Sequence, residues 1–154
     1  MWKKILPVLV VLLLMWATLF WIQKDAWLAE FNAERAAEAE RFRSAGLEYG
    51  RSHDQQACLD RALHDFDTQC SGFSCTVSYG RFLDACLETA AHTPGFCAGV
   101  PPYHEELSEE DKNWARDLCW GQDIRGEGCR LLLRQQQYFC SGAGEVGAAA
   151  NAAH

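Results

Sequence analysis

Residues Ile5 to Ile22 form 18 consecutive uncharged positions, apolar on every side and so unlike the one-faced pattern of a soluble surface helix. At about 1.5 Å rise per residue the run is roughly 27 Å long, close to the ~30 Å hydrocarbon core of a bilayer; Pro7 falls in its first turn, where a missing N–H is tolerated. The pattern predicts a transmembrane helix over residues 1–23. It then changes: residues 24–50 are rich in Ala, Glu and Arg, lack Pro, and hold Gly only at Gly46 and Gly50, which predicts a helical stalk continuing from the membrane. Ala26, Ala29, Ala33 and Ala36 recur at helical steps beside a stripe of Trp27, Phe31, Glu38 and Phe42. Such a helix either packs on a partner, a homodimer through the stalk included, or spaces the following domain from the bilayer; fewer than four heptads and no firm a/d seam are present.

After Gly50 the pattern becomes amphipathic. Ser52-His53-Asp54-Gln55 resembles a capping box with Ser52 as N-cap, and Leu59, Ala62, Leu63, Phe66 and Cys70 follow at helical spacing. Beyond the turn Ser71-Gly72-Phe73-Ser74, the set Cys75, Tyr79, Phe82, Cys86, Leu87 and Ala90 repeats that spacing, giving a helical hairpin over 52–91. Pro94-Gly95, Gly99 and Pro101-Pro102 make 92–107 a linker. Ser108 followed by Glu109, Glu110 and Asp111 is a second N-terminal signature, with acids where the helix dipole favours them. A third helix then carries Trp114, Ala115, Leu118 and Cys119, and Gly121, Gly126 and Gly128 break it. A fourth presents Cys129, Leu132, Leu133, Gln136, Phe139 and Cys140 on one side. This second hairpin, 108–140, completes a disulfide-bonded α-helical domain over 51–141. The Gly- and Ala-rich tail 142–154 has nothing to bury and is expected to be disordered. The fold class predicted is all-α: transmembrane helix, stalk, then two disulfide-stapled antiparallel helical hairpins.

The chain holds 8 cysteines, all between Cys58 and Cys140. No CxxC occurs, no ligand set has zinc-like spacing, and no CxxCH is present for haem, so disulfides in an oxidising compartment are the expectation. In an antiparallel pair of helices, residues equally far from the turn lie opposite one another. Cys70 and Cys75 flank the first turn; Cys58 lies 12 residues before Cys70 and Cys86 lies 11 after Cys75, a mismatch of about 1.5 Å of helix rise. Cys70 therefore pairs with Cys75 and Cys58 with Cys86. Cys119 and Cys129 bracket the second turn, leaving Cys97 for Cys140 by elimination. Eight cysteines allow about 105 connectivities, which this geometry narrows without proving one.

The nested arrangement from Cys58 to Cys86 resembles the coiled-coil-helix, twin CX9C proteins of the mitochondrial intermembrane space, whose hairpin is stapled by an outer and an inner disulfide. The intervals here read CX11C and CX10C, and the resemblance implies only the nested bonding of that one hairpin.

With 154 residues the chain fits one small domain plus extensions and excludes a large multidomain enzyme. Its 14 basic and 21 acidic side chains give a net charge of −7, which excludes a nucleic-acid binder working by phosphate neutralisation. Lys3 and Lys4 precede the apolar run, while Lys24 is answered by Asp25 and Glu30 after it, placing the N-terminus on the cytoplasmic side. A cleaved signal peptide would end in small residues; this run ends Leu19-Phe20-Trp21-Ile22, as an uncleaved signal anchor does. Trp2 at one end and Trp21 and Trp27 at the other suit the membrane interface. The expected location is the bacterial inner membrane with the domain in the periplasm, the mitochondrial inner membrane facing the intermembrane space being the alternative.

No catalytic constellation stands out: GxSxG, HExxH, GxGxxG and P-loop motifs are absent, and neither metal nor cofactor is expected. His53, His64, His92 and His104 are scattered. His64 near Asp60 and Asp65 could orient an imidazole, and His104-Glu105-Glu106 could collect a cation; an exposed helix histidine and a solvated acidic turn explain them as well. A turn-spanning Cys70–Cys75 bond could be reducible. These features predict a membrane-anchored accessory or assembly subunit that contacts an integral membrane complex or envelope protein. Two alternatives are a tethered inhibitor or immunity protein against a cell-envelope enzyme, its acidity aiding encounter with a basic target, and a thiol-disulfide exchange protein.

Overall fold

The computed structural model describes residues 2–70 and 72–142, the side chains of Trp2, Lys3, Lys4, Ile22 and Gln23 excepted; the tail beyond Gly142, Ser71 of the first turn and the interface role of Trp2 lie outside the described residues. The chain is all-α: α1 (Trp2–Gly50), α2 (Gln55–Gln69), α3 (Phe73–Thr89), α4 (Glu109–Gly121) and α5 (Glu127–Cys140). It forms two compact units, Met1–Glu38 and Ala39–His154.

In the first unit, α1 includes a stretch long and apolar enough to cross a membrane. Its large side chains are exposed, Leu13, Trp16 and Trp21 at more than 60%, so none of the described residues covers them. Past the apolar run, the Lys24 ammonium lies 3.9 Å from the centroid of Trp21, and Trp27 stacks on Phe31.

The second unit starts at Ala39, so the last turns of the expected stalk belong to the domain. Gly46 and Gly50 are the reason. Both are buried, and a Cβ at Gly46 would run into the Phe82 carbonyl and come within 3.0 Å of Ala85 Cβ, while one at Gly50 would meet the Cys86 carbonyl. Two glycines one turn apart thus let the end of α1 lie directly on the backbone of α3. Arg43 clamps Glu88 with two hydrogen bonds of 2.9 and 3.1 Å, Thr89 Oγ1 donates to Leu47 O, and Phe42 meets Tyr79 edge-on at 5.2 Å.

α2 and α3 form the first hairpin. Asp54, not Ser52, is the N-cap of α2: its carboxylate accepts from Ala57 N at 2.8 Å, while Ser52 Oγ donates to Tyr49 O. The helix start shifts because the chain at His53 to Gln55 is held in extended form against Ala91, with Gln55 N donating to Ala91 O and Ala91 N to His53 O. α4 and α5 form the second hairpin, and α5 packs against α2 and α3 as well as α4, so the two hairpins share one core. Leu63, Leu83, Leu132 and Leu133 are its largest fully buried apolar side chains. Gly128, expected among the glycines that break the third helix, instead lies in the first turn of α5, where a Cβ would strike the Phe66 ring and Thr76 Oγ1. Leu118, expected in the core, is exposed at 40%, and Ile124 beyond the end of α4 is buried in its stead. Phe96 of the linker is also buried, its carbonyl accepting from the buried Gln136 amide.

Ser108 caps α4 in a full capping box with Asp111. Asp111 is buried, 1% exposed, and its second oxygen accepts from the buried Gln137 amide at 2.9 Å, tying the start of α4 to α5. The Ser108 hydroxyl holds this carboxyl below the ordinary carboxylate range against the opposing effect of burial, with help from the Ser108 N–H, Gln137 and His104. Because the folded value is depressed, the stabilisation is complete above the ordinary pKa of about 3.9 and is lost as pH falls through the lowered one. Asp111→Ala also strands the Gln137 amide, so it is expected to cost about 1 to 3 kcal/mol at pH 7. Thermal midpoints should show this deficit shrinking towards pH 3; a deficit independent of pH contradicts the assigned ionised network.

Candidate functional site

The eight cysteines form Cys58–Cys86, Cys70–Cys75, Cys97–Cys140 and Cys119–Cys129, with Cα separations from 5.4 to 6.1 Å. These are the expected pairs, three of them from spacing and Cys97–Cys140 by elimination. Cys58, Cys86 and Cys129 are fully buried and Cys119 is 2% exposed, whereas Cys70, Cys75 and Cys140 are half-buried and Cys97 is exposed. The sequence between Cys70 and Cys75 holds no basic side chain and no further cysteine.

The histidines are not brought together. His53 stacks on the Tyr49 ring at 3.7 Å, with Nδ1 2.9 Å from Tyr49 O. His64 and His92 are exposed, and Asp65 near His64 is taken by Arg61 at 2.5 Å. His104 Nδ1 lies 3.7 Å from the already satisfied Asp111. The carbonyls of His104 and Glu105 accept from Arg134 at 2.6 and 2.9 Å, so this segment uses its backbone to hold a cation of the chain itself. Among the described residues no three His, Cys, Asp or Glu side chains gather where a metal ion could be held.

Two of the concavities among the described residues of the second unit bear on binding. One, of about 560 Å³, lies between the end of α1 and α2 and α3, lined by Phe42, Tyr49, Tyr79, Phe82 and the Arg61–Asp65 pair. Burial pushes the Tyr79 hydroxyl up from its ordinary pKa, and the neighbouring Asp65 adds to this while Arg61 opposes it. The central charges there, Arg61 and Asp65, satisfy each other, and the Tyr79 hydroxyl donates to Gln69.

The other, of about 460 Å³, is a groove between α3 and α5. α3 contributes Phe73, Val77, Gly80, Arg81 and Asp84 at helical steps, α5 contributes Leu131, Arg134, Gln135 and Tyr138, and the linker adds Tyr103. Three of its apolar side chains are exposed, Phe73 at 76%, Val77 at 50% and Leu131 at 43%, while Leu132 at its floor is buried. Asp84 accepts from the Gln135 amide at 2.9 Å. Arg134 has no carboxylate partner; its guanidinium sits 4.6 Å from the Tyr103 ring centroid, and its Nη1 is the buried side-chain polar atom left without a hydrogen-bond partner among the described residues. Pattern reading missed this groove because its residues fall off the core stripes. The usable signal was that Phe73, Val77 and Leu131 are apolar at positions the core periodicity does not need.

Compared with known proteins, the chain matches no family model, no curated sequence and no solved structure.

Proposed function

We propose that this chain is a single-pass, membrane-anchored accessory or assembly subunit that acts by protein–protein contact on the exported side of a membrane. The observation that carries the reading is the α3/α5 groove: apolar side chains exposed beside arginines, on a domain stapled by four disulfides. Full burial of such a side chain is worth roughly 1.5 to 3 kcal/mol; with Phe73 still 76% and Val77 50% exposed, a docking partner would recover most of that for Phe73 and about half for Val77. Four disulfides favour an oxidising compartment. The basic start at Lys3 and Lys4, against the acids Asp25 and Glu30 beyond the apolar run, favours an N-terminus on the cytoplasmic side and the domain on the exported side; we place this in the bacterial inner membrane, with the domain in the periplasm.

The test is mass spectrometry of the tagged full chain extracted in mild detergent under non-reducing conditions. A stoichiometric integral membrane partner, with all eight cysteines in disulfide-linked peptides, is the expected result. A solitary protein with Cys70 and Cys75 free or in mixed disulfides would sink the reading and favour thiol exchange.

A further inference from the structure

We infer that the α3/α5 groove receives an amphipathic helix of the partner protein, one with an apolar stripe and a carboxylate that meets Arg81; the inference rests on the accessory-subunit reading and names the chemistry of its contact.

The apolar half of the site comes from Phe73, Val77 and Leu131, exposed along the groove. From Phe73 to Asp84 the α3 wall runs three helical turns, roughly 16 Å, the length over which a docking helix sets anchors at i, i+3 or i+4, and i+7. Gly80 lies in the middle of this wall. A Cβ built there would meet nothing within 4 Å, unlike those at Gly46, Gly50 and Gly128, so no neighbour in the chain requires a glycine. Glycine in a helix interior is unfavourable relative to alanine, and what it supplies here is a bare patch of backbone that another helix can approach closely.

The charge comes from the same stretch. Two guanidinium groups face one carboxylate, and that carboxylate, Asp84, already accepts from Gln135. Arg81 is exposed and has neither an ion pair nor a hydrogen bond among the described residues. Arg134 is held by two backbone carbonyls and the Tyr103 ring, with Nη1 buried, so it adds positive charge to the groove while Arg81 is the guanidinium a partner can reach. A positive island on a chain of net charge −7 complements an acidic side chain and selects against a basic one. A helix fits better than an added strand, because no sheet edge exists among the described residues and the groove is walled by two helices.

The experiment places a photo-crosslinking amino acid at Val77 of the full chain in the membranes of cells that make it, and sequences the crosslinked peptide. The expected product is a partner segment with apolar residues at three- and four-residue steps and an Asp or Glu within one turn of them. Gly80→Gln should lower its yield at least tenfold without lowering the thermal midpoint, and Arg81→Glu should lower it several-fold. A product with a second copy of this chain, with lipid, or with a segment lacking acids overturns the inference, as does a yield that Gly80→Gln leaves unchanged. The same crosslinker at the exposed Trp120, off the groove, separates the two levels. Partner capture there with none at Val77 removes the groove and leaves the accessory-subunit reading standing; capture at neither position removes both.

Discussion

Replacing Cys58 and Cys86 together by alanine is expected to lower the unfolding free energy of the domain by about 3 to 4 kcal/mol, against about 2 kcal/mol for Cys70 and Cys75. The two bonds staple the same hairpin but close loops of very different length, with sequence separations of 28 and 5, and chain entropy released on cutting a crosslink grows with the logarithm of the loop. Burial acts in the same direction: Cys58 and Cys86 are 0% exposed, so their removal also opens a gap in the core. The Cys97–Cys140 bond, at a separation of 43, belongs with the larger losses and fastens the linker to the end of α5. Since a domain of this size is stable by only about 5 to 15 kcal/mol in all, full reduction should unfold it. Denaturant midpoints of the paired variants, followed by helical circular dichroism in detergent, decide the matter. Equal losses for the outer and inner pairs would contradict either the pairing or the entropic account.

The pairings could be read from sequence because a helix turns a residue count into a distance. Once Ser71-Gly72 is taken as the turn, Cys58 and Cys86 fall at nearly the same height on opposite helices. The core stripes were legible for the same reason, and Leu59, Leu63, Phe82 and Leu132 are buried where the period puts them. What escaped were choices made by contact rather than by local chemistry. Ser52 and Asp54 are both good caps, and only the bridge between Asp54 and Ala91 selects the second. Gly128 resembles a helix breaker until α5 is laid against Phe66. The α3/α5 groove is a property of two helices jointly, invisible in either alone, although the surplus apolar residues Phe73 and Leu131 were there to be noticed.

The glycines give the sharpest remaining prediction, because the same substitution should have opposite signs at different sites. Gly→Ala inside a helix normally stabilises by about 0.5 to 1 kcal/mol, and Gly80→Ala, opening onto empty space, should show that gain. At Gly46 and Gly50 the new methyl meets the carbonyls of Phe82 and Cys86, backbone that cannot move without carrying α3 and the Cys58–Cys86 bond with it. Overpacking of this kind costs about 1 to 3 kcal/mol, more than the gain in helix propensity, so each variant should be destabilised. The double variant should lift residues 39–50 away from α3, taking with them the Phe42–Tyr79 and Arg43–Glu88 contacts. Hydrogen exchange read by mass spectrometry would then show protection lost across 39–50 and α3 while α4 and α5, pinned by Cys119–Cys129 and Cys97–Cys140, keep theirs. If Gly46→Ala stabilised the protein as Gly80→Ala does, the end of α1 would have to be a free stalk after all. The domain would then begin at α2, as the hydrophobic pattern alone suggests.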